Sequence, residues 1–189
     1  MRVGIFGGTF DPPHVGHLIA ATDACDLLAL DRLIFVPTAT QPLKVGQESA
    51  AGPQRVAMVE LLAGTDPRFS VNSLEVERGG LSFTVDTLRT LRQQWPAGTA
   101  DLVLLIGADA AAQFPQWKDP AAILALADVV VLTRGDAPVA IPPGLRELTT
   151  RRVDVSATEI RDRVRAGKAV RGLVTDPVAA YIARAGLYR

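Results

Sequence analysis

Gly7-Gly8-Thr9-Phe10-Asp11-Pro12-Pro13-His14-Val15-Gly16-His17 follows directly on the apolar run Val3-Gly4-Ile5-Phe6 and leads into residues recurring at helical spacing (Val15, Leu18, Ile19, Thr22, Cys25, Leu28). A strand, a glycine-rich turn and a helix start in immediate succession form the first half of a strand-helix-strand unit. The same alternation continues outward. Residues 32–36, 69–76, 101–106 and 128–132 read as further strands, several of them continuous apolar runs, as expected of strands covered on both faces. Between them, Val56, Val59 and Leu62, and then Val85, Leu88, Leu91 and Trp95, mark helices. A Pro/Gly-rich loop at 135–144 leads to a strand at 146–153, followed by helices over 158–166 and 177–185, with Gly186 as a C-cap. The expected fold is α/β, a doubly wound parallel sheet of Rossmann-like form, with a short C-terminal helical portion. Ligands in such a fold lie at the carboxyl ends of the strands. Residues 1–189 read as one domain, without repeats or a long linker.

The chain length suits one substantial core, and 48% hydrophobic residues is ordinary for a folded protein. Twenty basic and twenty acidic side chains cancel, so no global field draws the protein to nucleic acid or a membrane. No basic-aromatic surface pattern supports a nucleic-acid partner. Residues 151–189 nevertheless hold nine Lys/Arg against four acids, a net of +5 that the rest of the chain balances at −5. That tail is either a solvated helical face or a local attraction for a polyphosphate. The single cysteine, Cys25, excludes an internal disulfide and a Cys-rich metal cluster, and in an apolar helical stretch it reads as a small core residue. The N-terminal residues are too short an apolar run, too soon broken by glycine, for a signal peptide. The run 123–132 is about a strand long and contains Asp128. The default compartment is the cytoplasm. Assembly into a homo-oligomer is left open.

The glycine-rich segment carries the chemistry. Gly7 and Gly8 let the backbone turn tightly and approach a ligand, and the helix start behind them presents unpaired N–H groups and a positive dipole end to an anion. His14 and His17, the only two histidines, share one face of the first helical turn. Gly16 between them removes a side chain that would keep a ligand from lying across that turn. Two imidazoles and a helix N-terminus aimed at one point suit a polyphosphate under attack, because they can donate hydrogen bonds where charge builds up. A metal-ligand pair is the plain alternative, but no third Cys, His or carboxylate pattern completes it. The segment is neither a Gly-x-Gly-x-x-Gly fingerprint nor a P-loop.

The segment resembles the His-x-Gly-His signature of the nucleotidyltransferase superfamily, related to class I aminoacyl-tRNA synthetases. The form Gly-Gly-Thr-Phe-Asp-Pro-Pro-His is similar to the bacterial nicotinate-nucleotide adenylyltransferase branch. Ser156-Ala157-Thr158-Glu159-Ile160-Arg161 resembles the superfamily's second signature, which grips ATP phosphates. Ala157 stands where the family has a hydroxyl, and Ser156 with Glu159 also fits a plain capping box. Residues 37–44 resemble a loop ending Pro-Pro-His-Lys, with Leu43 in place of histidine, and leave Lys44 as either a phosphate contact or a solvated side chain. Ser82-Phe83-Thr84-Val85-Asp86-Thr87-Leu88 is similar to Ser-Tyr-Thr-x-Asp-Thr-Leu, with Phe83 for tyrosine and Thr84 beside the nicotinate ring. Gly107-Ala108-Asp109 resembles the Gly-x-Asp that meets the adenosine ribose. Trp117 corresponds to the tryptophan beside the nicotinate ring, with core packing as its rival role. Arg134 lies in a match to Arg-Pro-Gly, Gly135 replacing proline.

The resemblance implies transfer of AMP from ATP to nicotinate mononucleotide, giving deamido-NAD and pyrophosphate. It implies His14, His17, Lys44 and Arg161 as catalytic residues. Gly7, Gly8, Thr9, Phe10, His14, Gly16, His17, Gly107, Asp109, Arg134, Ser156, Thr158 and Arg161 would bind ATP. Gly8, Thr9, Lys44, Thr84 and Trp117 would bind the mononucleotide. Mg²⁺ would come with ATP, held by phosphates and water and not by a carboxylate cage. The rivals are adenylyl or cytidylyl transfer to another acceptor, such as nicotinamide mononucleotide or phosphopantetheine, and a sensor that binds ATP without turnover.

Overall fold

A computed structural model describes residues 1–42, 49–96, 98–135 and 140–189. They form a six-stranded sheet from β1 (Arg2–Gly8), β2 (Arg32–Pro37), β3 (Phe69–Val71), β4 (Asp101–Gly107), β5 (Asp128–Arg134) and β6 (Arg146–Thr150). Every pairing is parallel, in the order β3-β2-β1-β4-β5-β6. The order reverses at β1, so a crevice opens between the loops that leave β1 and β4.

The apolar runs serve both faces of the sheet. Phe6, Leu33, Phe35, Val103, Leu105, Val130 and Leu132 point to one side, under α1 (Val15–Leu27), α2 (Gly52–Ala63), α7 (Ala157–Arg165) and α8 (Asp176–Ala185). Val3, Ile5, Ile34, Val36, Leu102, Leu104, Ile106, Val129 and Val131 point to the other, under α4 (Thr84–Gln94) and α6 (Pro120–Leu126). Strict alternation of two buried faces is what a parallel sheet covered on both sides requires. Cys25 is a buried core residue, and burial pushes its thiol up to about 11. Gly186 closes α8 in the left-handed conformation, as expected. No helix among the described residues is long and apolar enough to cross a membrane.

Several expectations are corrected. The run 69–76 is not one strand: β3 stops at Val71 and α3 (Leu74–Arg78) follows. Asn72 turns the chain, its side-chain oxygen accepting the Leu74 N–H at 3.0 Å, which starts a helix where extended chain was expected. The strand over 146–153 ends at Thr150 because Arg151 leaves the ladder. Its backbone N–H, Nε and Nη2 all donate to the Asp23 carboxylate, at 2.9, 2.9 and 2.6 Å. The buried face of α1 is Ala20, Ala21, Ala24 and Cys25, not the larger Leu18 and Ile19, so small residues let this helix lie close on the sheet. Also beyond the sequence reading are α5 (Ala108–Ala112), a 3-10 turn at Phe114–Gln116, and α6, which occupies the start of the apolar run 123–132.

Candidate active site

β1 delivers its chain into the crevice, and the turn that follows is made by Phe10. Gly7 and Gly8 belong to the extended end of β1, and it is Phe10 that takes the left-handed conformation, at φ 51°. For a bulky residue that costs about 1–3 kcal/mol. The ring holds it there: Phe10 is 3% exposed and meets Phe6, Phe35 and His17 edge-on, at 5.8, 5.7 and 5.0 Å between centroids. Gly8 makes this possible, because a Cβ there would stand 3.0 Å from the Phe10 ring. Gly7 has no crowding of that kind and remains open to a ligand.

His14 caps α1 rather than lying within it, and His17 is the third helical residue. The His14 backbone N–H donates to His17 Nδ1 at 3.2 Å. With Nδ1 accepting, the neutral His17 ring carries its proton on Nε2, where it can be donated. The two rings lie 3.8 Å apart between centroids. Burial pushes His14 down to about 4, with the charge of Arg134 adding to the effect. His17 is also held well below the ordinary imidazole range, first by burial and then by His14 and Arg134. Both rings are therefore neutral at pH 7. Gly16 has a role within the fold itself. A Cβ there would lie 2.9 Å from His14 Nδ1, so the missing side chain makes room for the histidine itself. The Val15 amide at the helix start is also not open, because it donates to the Leu173 carbonyl at 3.0 Å.

The second signature comes to the same loop from far along the chain. Ser156 caps α7, its hydroxyl accepting the Glu159 N–H at 3.1 Å, so the capping role is real. One turn on, Arg161 Nη1 donates to the Asp11 carbonyl at 2.8 Å and Nη2 to Thr158 Oγ1 at 3.1 Å. Arg134 stands at the end of β5 and donates weakly to the Val153 carbonyl at 3.4 Å. Within the basic tail, Arg151, Arg152 and Arg165 pair with Asp23, Asp154 and Asp162, and Arg161 is the tail arginine that bonds to this loop.

Across the crevice is a cavity of about 170 Å³, walled by Gly7 and Gly8 from β1, Gly107 from β4, Thr84 and Thr87 from α4, and Trp117. Gly107 has nothing within contact distance of a Cβ, which leaves backbone open to a ligand. Trp117 is half-buried, its ring 5.4 Å from that of Phe114. Its loop is tied to α4 by Lys118–Asp86 at 2.8 Å and Arg89–Asp119 at 2.9 Å. Asp109 lies exposed on α5, two residues past the end of β4. Thr9 is half-buried in the Phe10 turn, while Ser156 and Thr158 are exposed. Lys44, with Leu43, lies outside the described residues.

Sequence reasoning missed the part played by three buried polar residues, Glu75, Arg55 and Asp11, and by the half-buried Tyr188. Glu75 is 5% exposed on the cavity wall, takes a hydrogen bond from Thr87 Oγ1, and has no partner for Oε2. Burial raises its pKa against the opposing hydroxyls of Thr87 and Ser82. Read as part of a strand, it gave no signal. Arg55, Asp11 and Tyr188 form a second cluster behind the Phe10 turn. An arginine one place before the apolar Val56 was the only hint of it.

Comparison with known proteins bears on the family and the fold. The cytidylyltransferase-like family model matches residues 5–163. The chain is 47% identical, over 100% of its length and 93% of the relative's, to a Gemmatimonas aurantiaca protein named "Probable nicotinate-nucleotide adenylyltransferase". A Thermus thermophilus protein of the same name is 41% identical over 100% of both chains. The fold resembles that of Plasmodium falciparum nicotinic acid mononucleotide adenylyltransferase complexed with NaAD, at a TM-score of 0.79 over 99% of this chain and 97% of that one. At 15% identity, that likeness speaks for the fold alone.

Proposed function

The chain belongs to the cytidylyltransferase-like family, and on that premise we propose that it is a nicotinate-nucleotide adenylyltransferase, acting in the cytoplasm with residues 1–189 as one catalytic domain. The mononucleotide's phosphate oxygen attacks the α-phosphorus of ATP in line. A new P–O bond forms, the bond to the β-phosphate oxygen breaks, and its electron pair leaves with pyrophosphate. The observation that carries this reading is the bond from Arg161 to the Asp11 carbonyl, which joins two signatures 150 residues apart at one loop.

In this reading the protein supplies position and charge, and needs no nucleophile of its own. The Nε2–H of His17 and the adjoining His14 face the triphosphate, with Arg161, Arg134, Thr9 and the exposed Ser156 and Thr158 along its length. Gly107 and Asp109 receive the adenosine. Thr84 and Trp117 receive the pyridine ring in the walled cavity, and Lys44 binds the mononucleotide and takes part in the transfer. The donor set fits Mg²⁺ arriving on ATP. No cluster of three or more His, Cys, Asp or Glu exists among the described residues, and the loop's own carboxylate, Asp11, is already used by the Ala50 N–H and the Tyr188 hydroxyl. Mg²⁺ would neutralise phosphate charge and be held by phosphate oxygens and water.

A pyrophosphate-release assay with ATP and a panel of acceptors tests the proposal. Nicotinate mononucleotide should be turned over in preference to nicotinamide mononucleotide and phosphopantetheine. ATP binding with no pyrophosphate from any acceptor would make the chain a sensor. Arg161→Ala should raise KM for ATP more than KM for the mononucleotide. An equal rise in both, with a lowered Tm, would reduce Arg161 to a structural tie of its helix. Trp117→Ala should raise KM for the mononucleotide about tenfold and leave KM for ATP nearly unchanged, because ring stacking contributes roughly 0.5–1.5 kcal/mol beyond area burial. A large loss of stability with both substrates affected alike would mean that the indole serves packing.

A further inference from the structure

Arg55 is the most deeply buried charged side chain among the described residues, at 2% exposure, and nothing above gives it a task. A guanidinium is kept in an apolar interior only when its donors are met. Here they are met by three backbone carbonyls from three different segments. Nε donates to Ala50 at 3.0 Å, Nη1 to Thr9 at 2.8 Å and Nη2 to Ala39 at 3.2 Å. Thr9 belongs to the loop after β1 that carries the histidines, Ala39 to the loop after β2, and Ala50 to the entry of α2. Ala39 in turn donates its N–H to Ser82 Oγ at 2.9 Å, and Ser82 N–H donates to the Thr40 carbonyl at 2.9 Å, which ties in the segment leading to Thr84. On the other side of the turn, Asp11 Oδ1 accepts from the Ala50 N–H at 3.1 Å and from the Tyr188 hydroxyl at 2.6 Å.

We infer that Arg55, with Asp11 and Tyr188, is a positioning device for the reaction: it fixes the phosphate-facing turn of Thr9 to His14 against the loop beside the acceptor cavity, and so sets the two substrates' binding elements at one separation. This rests on the adenylyl-transfer reading above. The geometry needs arginine and not merely a cation. Three carbonyls in different directions fit a planar fork with five donors, whereas an ammonium is a compact point charge on a flexible stem. The cluster also backs the left-handed Phe10, whose neighbours in sequence, Thr9 and Asp11, are the two residues held. A displacement of about 1 Å at such a turn costs on the order of a hundredfold in rate.

The test is Arg55→Lys, which keeps the charge and loses the fork. At a temperature where the variant is folded, kcat should fall by about tenfold to a hundredfold while KM for each substrate changes much less. A second readout needs no substrate. The chain has two histidines, so their imidazole signals can be followed by NMR against pH. In the parent protein His14, facing His17 and Arg134, titrates at about 4. In Arg55→Lys the loosened turn should admit water and move that titration up toward 6.5. A folded Arg55→Lys with parental kcat and parental His14 titration would overturn the inference, leaving Arg55 a structural counter-charge. If Arg55→Lys fails to fold, Tyr188→Phe decides. It removes one hydroxyl from Asp11, and should shift the same two readouts in the same direction by a smaller factor. No change in either would overturn the inference. Failure of the parent chain to release pyrophosphate would instead count against the adenylyl-transfer reading, and the imidazole titration would still judge Arg55.

Discussion

His17→Ala should lower kcat for adenylyl transfer by about a hundredfold or more while the chain still folds. Removing one preorganised donor aimed at developing charge commonly has an effect of that size. The structure strengthens the case beyond the residue's identity. His17 Nδ1 is committed to the His14 backbone N–H, and burial keeps the ring uncharged, so Nε2–H is a fixed neutral donor already in place before substrate arrives. The ring edge against Phe10 holds its plane. The substitution also leaves the His14 N–H without that acceptor, which costs about 1–3 kcal/mol of stability if water does not replace it. Turnover should therefore be measured well below the variant's Tm. A folded His17→Ala within a few-fold of parental kcat would remove this histidine from the chemistry.

The unliganded protein should lose about 3 kcal/mol of stability through His14 alone as the pH falls from above 6.5 to 4. His14 is 4% exposed, and burial, helped by Arg134, moves it from an ordinary 6.5 down to about 4 in the folded chain. The folded-state value is the lower one, so between these pH values the unfolded chain binds a proton that the folded chain refuses. Stability is complete above 6.5 and drains away as the pH approaches 4, with 1.36 kcal/mol for each pH unit separating the two values. His17 acts in the same direction, so the total effect is larger. Urea denaturation at a series of pH values, with His14→Gln alongside, isolates the term, because glutamine fills similar space without titrating in this range. Parallel pH profiles for the parent and His14→Gln would show that His14 is hydrated and protonates freely in the folded state.

Much of this was readable in the residues. Continuous apolar runs such as Leu102 to Ile106 allow few structures other than a parallel strand under two layers of helix, and the alternation of Val3 and Ile5 with Phe6 sets which side each faces. The pairing of His14 and His17 at a helix start was also legible, because spacing alone puts them together. Tertiary contacts decided the rest. Asn72 converts an expected strand into α3 through one side-chain bond, and Asp23 pulls Arg151 out of β6 from 128 residues away. Gly8 and Gly16 stand out in the sequence as openings for a ligand; that each also makes room for a ring of its own loop, Phe10 and His14, depends on the folded turn. Arg55 was invisible for a similar reason. An arginine in a helix reads as surface until the three carbonyls that claim it are seen.

The tie between Asp11 and Tyr188 also bears on when the site comes into being. It spans 177 residues, and the Arg161 tie to the same loop spans 150. Ring closures of that length cost more chain entropy than local ones, and contacts so remote in sequence slow the search for the native state. The histidines follow β1 closely in the chain, and β1 can pair with the nearby β2 early. The turn between them is nevertheless fastened only when α7 and the segment beyond α8 have docked. The loop that holds the two histidines thus takes its final form late, together with completion of the fold, and a half-assembled chain carries the pair without the ties that fix it.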